Sequence, residues 1–391
     1  MGINFCRFIM PGNSKKIILA AGLFRPDIGG PATFAQILFS ELIKDSNLKI
    51  KVVAYGEAGN EENITRVSRK QNIFLRYCKY FLALRKATRD ADVLYAFDLI
   101  SVGLPGALVK LFNPKIKFIV RLGGDYQWER ALGREGYRET LEKYYEEKNF
   151  SLVGKLIFFL NNFVLKSADK IIFNSEYLQD IYLRKRGGAQ AEKTAVIKNI
   201  QADFSFSHIE IEKSDSIKIL YAGRLSAVKN LIRLVEAMAI IKRDLPERKI
   251  VLEIIGEGPE EQKTRDLIVK NNLTEDIILQ PRLPREQMVE KIASCDLAIL
   301  VSLSELNSNF FAEAYALAKP IVMTNKSEQF YLKINQPNIY YVNPLSTDEI
   351  AEKIKLAIDD LGKNLAVNNN LMSNIFWPKE KVIEAHKMLF F

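Results

Sequence analysis

The stretch Cys295 to Val322, CDLAILVSLSELNSNFFAEAYALAKPIV, predicts how this chain folds. Its apolar run, Leu297 to Val301, is typical of a strand buried in a parallel sheet. A polar loop, Ser302 to Asn309, and a helix over Phe310 to Leu317 follow, and a second apolar strand begins at Ile321. This order predicts a strand–loop–helix–strand unit of an open α/β sheet.

Two glutamates of this stretch, Glu305 and Glu313, lie eight residues apart across the loop and the following helix. Ligands of open α/β sheets bind beyond the carboxyl ends of the strands, where loops meet helix N-termini. Glu305 lies at that position, and Glu313 could point back at the same crevice from the helix. The alternative is that both are solvated charges, but the motifs elsewhere in the chain favour a ligand site.

The length and composition of the chain restrict its class. At 391 residues it exceeds one ordinary core, so we expect two domains. Its 48% hydrophobic and 26% charged residues are typical of a soluble globular protein. Three scattered cysteines and two histidines indicate a reducing compartment and argue against a zinc site. We find no signal-peptide core and no spanning segment, and therefore expect a cytoplasmic protein.

Charge is unevenly distributed along the chain. Residues 1–205 contain 32 Lys and Arg against 21 Asp and Glu, whereas residues 206–391 contain 24 against 26. The excess of positive charge in the first half predicts that this half binds an anionic partner. No nucleic-acid motif accompanies the charge, so we expect no nucleic-acid partner. An anionic membrane surface fits better, because a helix predicted over Ser68 to Thr88 combines basic and aromatic residues. An ordinary packed helix with a solvated basic face is the alternative.

Strands and helices alternate along both halves, which predicts two Rossmann-like domains with a cleft between them. The polar segment Phe204 to Ser216 is the best linker candidate. The strongly apolar segment Phe150 to Leu165 is interrupted by lysine and asparagines. It predicts a core helix in preference to a segment that dips into a membrane.

The first half contains two candidate ligand loops. The strand Lys16 to Ala21 leads into a glycine-rich loop, Gly22 to Pro31, that contains Gly30 and precedes a helix from Ala32, the arrangement by which a backbone approaches a phosphate or sugar. A tight turn without ligand is the alternative. The strand Lys117 to Leu122 leads to Gly124-Asp125. Asp125 could therefore face a substrate from the carboxyl end of a strand, or it could cap the next helix.

Metal chemistry finds little support in the sequence. Asp90-Ala91-Asp92 matches the DxD of some metal-dependent transferases, but it precedes a strand and so lies at the wrong end of the sheet. We interpret it as a turn and predict no metal site.

In the second half, Arg224 and Lys229 flank a loop between a strand and a helix. Two cations beside a helix N-terminus suit a diphosphate and could replace a metal there.

The motifs GGPATFA (Gly29 to Ala35), AGRLSAVKN (Ala222 to Asn230) and IIGEGP (Ile254 to Pro259) combine with an E-x7-E pattern, Glu305 and Glu313. Together they resemble glycosyltransferase family 4, the retaining enzymes of the GT-B fold, over nearly the whole chain. The resemblance implies an α/β GT-B structure of two Rossmann-like domains facing across a cleft. The implied domains are residues 1–205, on the acceptor side, and 206–374, which bind the nucleotide sugar, with a C-terminal helix within 375–391 crossing back to the first.

The resemblance also implies roles for individual residues. Arg224 and Lys229 would neutralise the donor diphosphate. Glu313 would hold the ribose hydroxyls, and Glu305 would lie near the donor sugar. The other implied donor contacts are Gly30, Gly256, Arg282, Ser308 and Asn309.

The chain departs from the family pattern at three places. Glu305-Leu306-Asn307-Ser308 replaces a glycine-rich E-G-F-G segment, and Lys198-Asn199-Ile200 stands where many relatives have P-N-G. Relatives often carry a histidine in the loop that here ends in Asp125. We therefore assign Asp125 the substrate-facing, catalytic role of that loop.

These observations predict a metal-independent, retaining hexosyltransferase of polysaccharide biosynthesis. Its donor would be a nucleotide sugar, with no other cofactor, and its acceptor a lipid-linked or cell-envelope glycan at the inner face of a membrane. Another GT-B enzyme, a phosphorylase or a sugar-nucleotide epimerase, is an alternative, although we find no phosphorylase cofactor site. A non-catalytic sugar-binding protein of the same fold is a further alternative, against which the presence of Arg224, Lys229 and Glu313 argues.

Overall fold

The computed structural model describes residues 14–27, 29–200, 215–363 and 372–391. These residues form two parallel sheets with helices on both faces of each. The strands are nearly continuous apolar runs, as parallel strands covered on both faces require. The predicted α/β architecture of two Rossmann-like units is confirmed.

Seven strands form the first sheet: β1 (Lys15–Ala21), β2 (Leu48–Tyr55), β3 (Ile64–Val67), β4 (Val93–Ala96), β5 (Lys117–Leu122), β6 (Lys170–Phe173) and β7 (Thr194–Val196). Their order is β3-β2-β1-β4-β5-β6-β7, and every neighbouring pair is parallel. The order reverses between β1 and β4, so a crevice opens there beyond the carboxyl ends.

The helices of the first domain are α1 (Gly30–Leu42), α2 (Ile73–Ala87), α3 (Gly103–Phe112), α4 (Tyr126–Arg134), α5 (Leu141–Glu147), α6 (Leu152–Ser167) and α7 (Glu176–Asp180). A π-helical turn, Ile181–Arg186, continues α7. One face of the sheet forms a core with α2, α3 and α6, and the opposite face forms a second core with α1.

Six strands form the second sheet: β8 (Ile217–Ala222), β9 (Ile250–Ile255), β10 (Ile277–Gln280), β11 (Leu297–Leu300), β12 (Ile321–Thr324) and β13 (Ile339–Val342). Their order is β10-β9-β8-β11-β12-β13, all parallel. Its helices are α8 (Leu231–Asp244), α9 (Glu261–Lys270), α10 (Arg285–Ser294), α11 (Asn309–Ala316), α12 (Glu328–Tyr331) and α13 (Thr347–Asp359). The order reverses between β8 and β11, the two strands that carry the strongest sequence motifs.

The C-terminal segment contains α14 (Met372–Ile375) and α15 (Lys379–Phe390), and α15 packs on the first domain. Val382 and Phe390 enter the core beside α1. Between them, the ring of His386 contacts the Tyr95 hydroxyl (2.9 Å) and the carbonyl oxygen of Val382 (2.7 Å). Burial lowers the pKa of His386 to about 3, so the ring is neutral. The predicted crossing of the last helix to the first domain is confirmed.

Two predicted helices differ from the observed ones. The helix expected over Ser68 to Thr88 is the shorter α2, because the Asn72 side chain accepts a hydrogen bond from the Leu75 N–H and fixes the start. The segment expected to be a core helix is α6, which starts at the Ser151 cap and buries only one face. The predicted linker and the domain boundary at 205 fall outside the described residues, apart from 215 and 216, and the boundary stays a prediction.

No single helix within the described residues is long and apolar enough to cross a membrane. By length and composition alone, a combination of α5 and α6 could do so, and these two helices are bent by 98° relative to each other.

Candidate active site

The candidate site lies at the carboxyl ends of β8 and β11, where the second sheet reverses its order. Asn230 joins the loops there from a left-handed conformation with φ of 58°. Its side-chain amide donates to the carbonyl oxygens of Val301 (3.0 Å) and Pro344 (2.7 Å). The N–H of Leu303 also donates to the carbonyl oxygen of Val228 at 2.8 Å. These bonds fix the loop after β11 against the loop after β8.

This arrangement brings Lys229 and Glu305 together. The ammonium of Lys229 lies 2.7 Å from Oε2 of Glu305, which also accepts a hydrogen bond from the Ser302 hydroxyl at 2.8 Å. The Glu305 side chain is buried, whereas that of Lys229 is 23% exposed and reaches the surface of the site. Glu305 therefore holds Lys229 in place while the cation stays accessible to an anionic ligand.

Arg224 lies on the same loop, and two chain segments fix its position. The Tyr221 hydroxyl donates to its carbonyl oxygen at 3.2 Å. A Cβ at Gly256 would lie 1.9 Å from the carbonyl oxygen of Gly223, so the loops after β8 and β9 touch backbone to backbone. The Arg224 side chain is exposed and forms no ion pair within the described part of the chain. Gly256 thus supports the loop of Arg224, in addition to any contact with a donor.

The N-terminus of α11 faces the same region. The Ser308 hydroxyl caps the helix by accepting from the Phe311 N–H at 3.3 Å, and the exposed Asn309 is the first helical residue. The first amides of a helix have no acceptor within the helix and are available to an anion. Glu313 is buried one turn later, 3.8 Å from the guanidinium of Arg285, and burial raises the pKa of its carboxyl.

Asp125 caps α4, which is the alternative the sequence left open. One carboxylate oxygen accepts from the Trp128 N–H (2.9 Å), and the other accepts from the hydroxyls of Tyr145 (2.6 Å) and Tyr182 (2.8 Å). The residue is only 3% exposed. The substrate-facing role assigned to Asp125 is therefore corrected, because both of its oxygens are bound within the protein.

Glu129, one helical turn after Asp125, is a candidate site residue that the sequence analysis did not identify. Its side chain reaches solvent in the cleft, but its carboxyl group lies over the backbone of Gly124 and is otherwise surrounded by protein of both domains. The 3₁₀ turn Ala227–Lys229 packs against α4. Desolvation and the Asp125 carboxylate raise the pKa of Glu129 to about 7, although Arg224 and Lys229 lower it. The i to i+4 spacing from the Asp125 cap was the signal that could have revealed Glu129.

Two predicted donor contacts lie apart from this cluster. Gly30 is the first residue of α1, exposed at the reversal point of the first sheet, and a Cβ there would meet nothing within 4 Å. Arg282 is exposed in the loop between β10 and α10. The structure does not bring either residue into contact with Arg224 or Lys229, and their donor roles stay predictions.

The two domains also meet through the unusual Glu305-Leu306-Asn307-Ser308 segment. The amide of Asn307 donates to the carbonyl oxygen of Asn174 in the first domain at 2.8 Å. On the neighbouring loop, Lys326 pairs with Glu142 at 2.6 Å. These contacts hold the loop of Glu305 against the first domain.

The acidic residues do not form a metal site in the part of the chain that the structure describes. No group of three or more His, Cys, Asp or Glu side chains there is arranged to hold a metal ion. Asp90 and Asp92 pair with Lys16 and Lys15 at the amino end of β1. They form a turn, as the sequence indicated.

The chain is similar to known glycosyltransferases. Residues 204–371 match the family described as Glycosyl transferases group 1. An uncharacterized glycosyltransferase of Methanocaldococcus jannaschii is 23% identical over 96% of this chain and 98% of its own. The structure of HepE from Anabaena with UDP and glucose has a TM-score of 0.68 at 16% identity, covering 96% of this chain and 98% of HepE. WaaG, a glycosyltransferase involved in lipopolysaccharide biosynthesis, has a TM-score of 0.64 at 14% identity over 95% of each chain.

Two parallel-sheet domains that meet over a cationic loop define a protein of the GT-B class. Residues 204–371, which include the second sheet, match the glycosyl transferases group 1, and the comparisons support a glycosyltransferase. The predictions of a GT-B fold and of a glycosyltransferase are confirmed. Membership of family 4 within this group stays a prediction.

Proposed function

We propose that this chain is a retaining hexosyltransferase that moves a sugar from a nucleotide-sugar donor to an envelope glycan without a metal ion. The observation that carries the proposal is the pairing of Lys229 with Glu305 beside Arg224, at the reversal point of the second sheet. The cocrystallised ligands of HepE, UDP and glucose, support a uridine nucleotide as the first donor to test.

Each residue of the candidate site has a proposed role in donor binding or transfer. Arg224 and Lys229 bind the diphosphate together with the amides at Ser308 and Asn309. Glu313 accepts hydrogen bonds from the ribose, and Gly256 and Arg282 border the nucleotide. Gly30 approaches the diphosphate from the first domain. Glu129, across from the two cations, faces the position where positive charge develops at the anomeric carbon.

The proposed transfer keeps all atoms in balance. The bond between the anomeric carbon and the β-phosphate oxygen breaks, and its electron pair leaves with the nucleoside diphosphate. The acceptor hydroxyl forms a new bond to the same face of the anomeric carbon, and its proton passes to the departing phosphate oxygen. The two cations stabilise the leaving diphosphate, the contribution that a metal makes in other transferases.

The acceptor is proposed to be a lipid-linked or cell-envelope glycan on the inner face of a membrane. The excess of positive charge in residues 1–205 supports this. The relative WaaG, which is involved in lipopolysaccharide biosynthesis, supports it as well.

Thermal unfolding with a panel of nucleotide sugars tests the donor, because a ligand that binds only the folded chain raises its apparent stability. We expect UDP-glucose or a close relative to raise the midpoint in wild type and to do so less in Arg224→Ala. The anomeric configuration of the product, read by NMR, tests retention. An inverted product, or sugar-nucleotide isomerisation without an acceptor, would replace the proposal with an alternative reaction.

Metal independence has its own test. We expect turnover to survive excess EDTA, since Arg224 and Lys229 supply positive charge where the diphosphate binds. Complete loss with EDTA that magnesium or manganese restores would contradict this part of the proposal and leave the transferase assignment intact.

A further inference from the structure

Three neighbouring helices of the first domain share an exposed apolar surface. α3 packs between α2 and α6. Large apolar side chains point outward from all three helices, among them Leu82 (59% exposed), Leu111 (59%), Phe112 (64%) and Phe159 (69%). We call the outer surface of these helices the α2–α3–α6 face. A surface of this kind marks a contact with a protein or a membrane.

The charge of this face has one sign. The three helix sequences contain seven Lys or Arg residues and no Asp or Glu. On α2, Lys79 and Lys86 occupy the same stripe as Leu75 and Leu82, at spacings of three and four residues. On α6, the exposed Lys155 lies next to Leu156. A surface evolved only for solubility would normally mix both signs.

The apolar and basic side chains are also arranged in order. The middle helix, α3, exposes Leu108, Leu111 and Phe112, while its single cation, Lys110, is paired with Asp169 at 2.8 Å. Both outer helices add lysines to their apolar stripes. The middle helix therefore adds mainly apolar side chains to the face, and the exposed lysines lie on the two outer helices.

This order fits a lipid bilayer better than a protein partner. Lysine is depleted from the centres of protein interfaces because its desolvation is costly. At a membrane its stem lies along the apolar layer while the ammonium reaches the headgroups. Apolar side chains then enter the boundary between headgroups and acyl chains, and anionic lipids add electrostatic attraction.

The face also borders the candidate active site. The side-chain amide of Gln127 on α4 donates to the carbonyl oxygen of Gly154 on α6 at 3.2 Å. The start of α4, with the exposed Tyr126 and with Glu129, therefore adjoins the first turn of α6. An acceptor anchored in the bilayer beside α6 could reach the cleft at this point.

We propose that the α2–α3–α6 face docks the enzyme on an anionic lipid bilayer, with Leu111 and Phe112 inserted and Lys79, Lys86 and Lys155 on the headgroups. The inference rests on the proposed function, because it supplies the route to a membrane-bound acceptor. It replaces the single basic helix expected from the sequence with a surface of three helices, to which α6 contributes Leu156 and Phe159.

Vesicle flotation tests the proposal, with phosphatidylcholine vesicles with and without phosphatidylglycerol. Wild type is expected to float with the anionic vesicles at low salt and to be released as salt shortens the screening length. Lys79→Glu, Lys86→Glu and Lys155→Glu in one variant should lower binding by roughly a hundredfold or more, since each basic side chain contributes about fivefold. Leu82→Ser, Leu111→Ser and Phe159→Ser together should lower it even when the charges remain.

A variant of equal net charge serves as the matched control. Lys249→Glu, Lys270→Glu and Lys353→Glu lie on the second domain, and this variant should bind vesicles much as wild type does. If wild type fails to bind anionic vesicles, or if both triple charge reversals weaken binding equally, the proposal is overturned. A dimer that the serine variant dissociates in sedimentation equilibrium, with no vesicle binding, would assign the face to a second copy of the chain.

Nucleotide-sugar stabilisation, measured on the same variants, separates this inference from the proposed function. We expect every variant to show the wild-type thermal shift with the donor, because none of the changed residues lies at the donor loops. A normal donor shift without vesicle binding would refute the docking surface alone. Vesicle binding without any donor shift would refute the proposed donor and leave the docking surface in place.

Discussion

At the scale of single residues, the two donor-site cations differ in how they are held. Lys229 is restrained by the buried Glu305, whereas Arg224 is exposed on a loop that backbone contacts fix. An ammonium with a carboxylate partner has already lost most of its side-chain freedom before a ligand binds. We therefore expect Lys229 to bind the diphosphate with little further ordering, whereas the exposed Arg224 side chain becomes ordered when the ligand binds.

Replacing Arg224 or Lys229 by alanine should lower kcat/KM by about 30- to 1000-fold. Each substitution removes one cation that stabilises the developing diphosphate charge, which costs about 2–4 kcal/mol of transition-state stabilisation. Steady-state kinetics with the true donor and acceptor would measure this. Arg243→Ala, which removes an exposed cation that pairs with the neighbouring Asp244 on α8, is the matched control and should retain full activity. Near-normal turnover of Arg224→Ala and Lys229→Ala would contradict the assignment.

The second residue-scale prediction concerns Glu129, whose pKa is about 7 because desolvation and Asp125 raise it. Its carboxyl ionises as pH rises through 7, and an ionised carboxylate stabilises positive charge at the anomeric carbon. Wild-type kcat/KM should therefore rise with pH through about 7, and Glu129→Gln should be slower and lack this inflection.

Glu135→Gln, at the end of the same helix, provides the control for Glu129, since its carboxylate contacts Arg130 and Ser151 instead of the cleft. It should keep the wild-type pH profile. Retention of the inflection in Glu129→Gln would show that another group titrates and would remove Glu129 from the mechanism.

At the scale of elements, backbone contacts between the loops that follow the strands position the candidate site. Gly256 has φ of 151°, and a Cβ there would lie 1.9 Å from the carbonyl oxygen of Gly223. A Cβ at Gly258 would likewise lie 2.2 Å from the carbonyl oxygen of Leu225. The loops after β8 and β9 can approach each other this closely only because glycine occupies both positions.

Gly256→Ala is therefore expected to destabilise the chain by more than about 1 kcal/mol and to weaken the donor-induced thermal shift, because the Arg224 loop must move. Urea unfolding and thermal shift measurements would report both effects. Gly133→Ala, in α4 with nothing within 4 Å of the added Cβ, should instead stabilise by about 0.5–1 kcal/mol. Equal effects of the two substitutions would show that the loop contact does not matter.

At the scale of the whole molecule, a buried ionic cluster joins the two domains. Lys198 of the first domain pairs with Glu176 (2.7 Å) and with Glu328 of the second domain (3.2 Å). Glu328 is fully buried and accepts from the N–H groups of Glu176 (3.1 Å) and Tyr177 (2.8 Å). Burial, with Glu176 nearby, raises the pKa of Glu328 to about 7. This cluster therefore adds a buried ionic contact to the other contacts that join the two domains.

Lys198→Met should destabilise the chain by about 3–5 kcal/mol at pH 8, because it leaves a buried carboxylate without its cation. Without Lys198 the pKa of Glu328 rises further above the 4.5 of an ordinary glutamate. The folded chain then keeps a proton that the unfolded chain has lost, so stability falls as pH rises from about 4.5 to the raised pKa of Glu328. Urea unfolding at pH 5.5 and pH 8 should show the larger loss at pH 8.

Lys326→Met is the control for this cluster, since its pair with Glu142 is partly exposed and should contribute at most about 1 kcal/mol. A loss for Lys198→Met that is the same at both pH values would contradict the role given to Glu328.

Much of this molecule follows from local patterns of the sequence. The apolar runs predict the parallel strands, and the stretch from Cys295 to Val322 becomes β11, the loop of Glu305, α11 and the start of β12. The position of Arg224 and Lys229 at the carboxyl end of a strand is predictable too. These features depend on neighbouring residues and on the period of burial, which a sequence displays directly.

Other features depend on residues far apart in the chain, and only the tertiary structure decides them. The sequence predicts that Asp125 faces the substrate, but the hydroxyls of Tyr145 and Tyr182 bind its carboxylate. Glu129 could not be identified from the sequence, because its neighbours Arg224 and Lys229 lie in the other domain. Likewise, α6 reads as a core helix, although packing buries only one of its faces. Burial and electrostatic environment are set by long-range packing, and therefore the sequence predicts where a residue lies in its element but not what surrounds it.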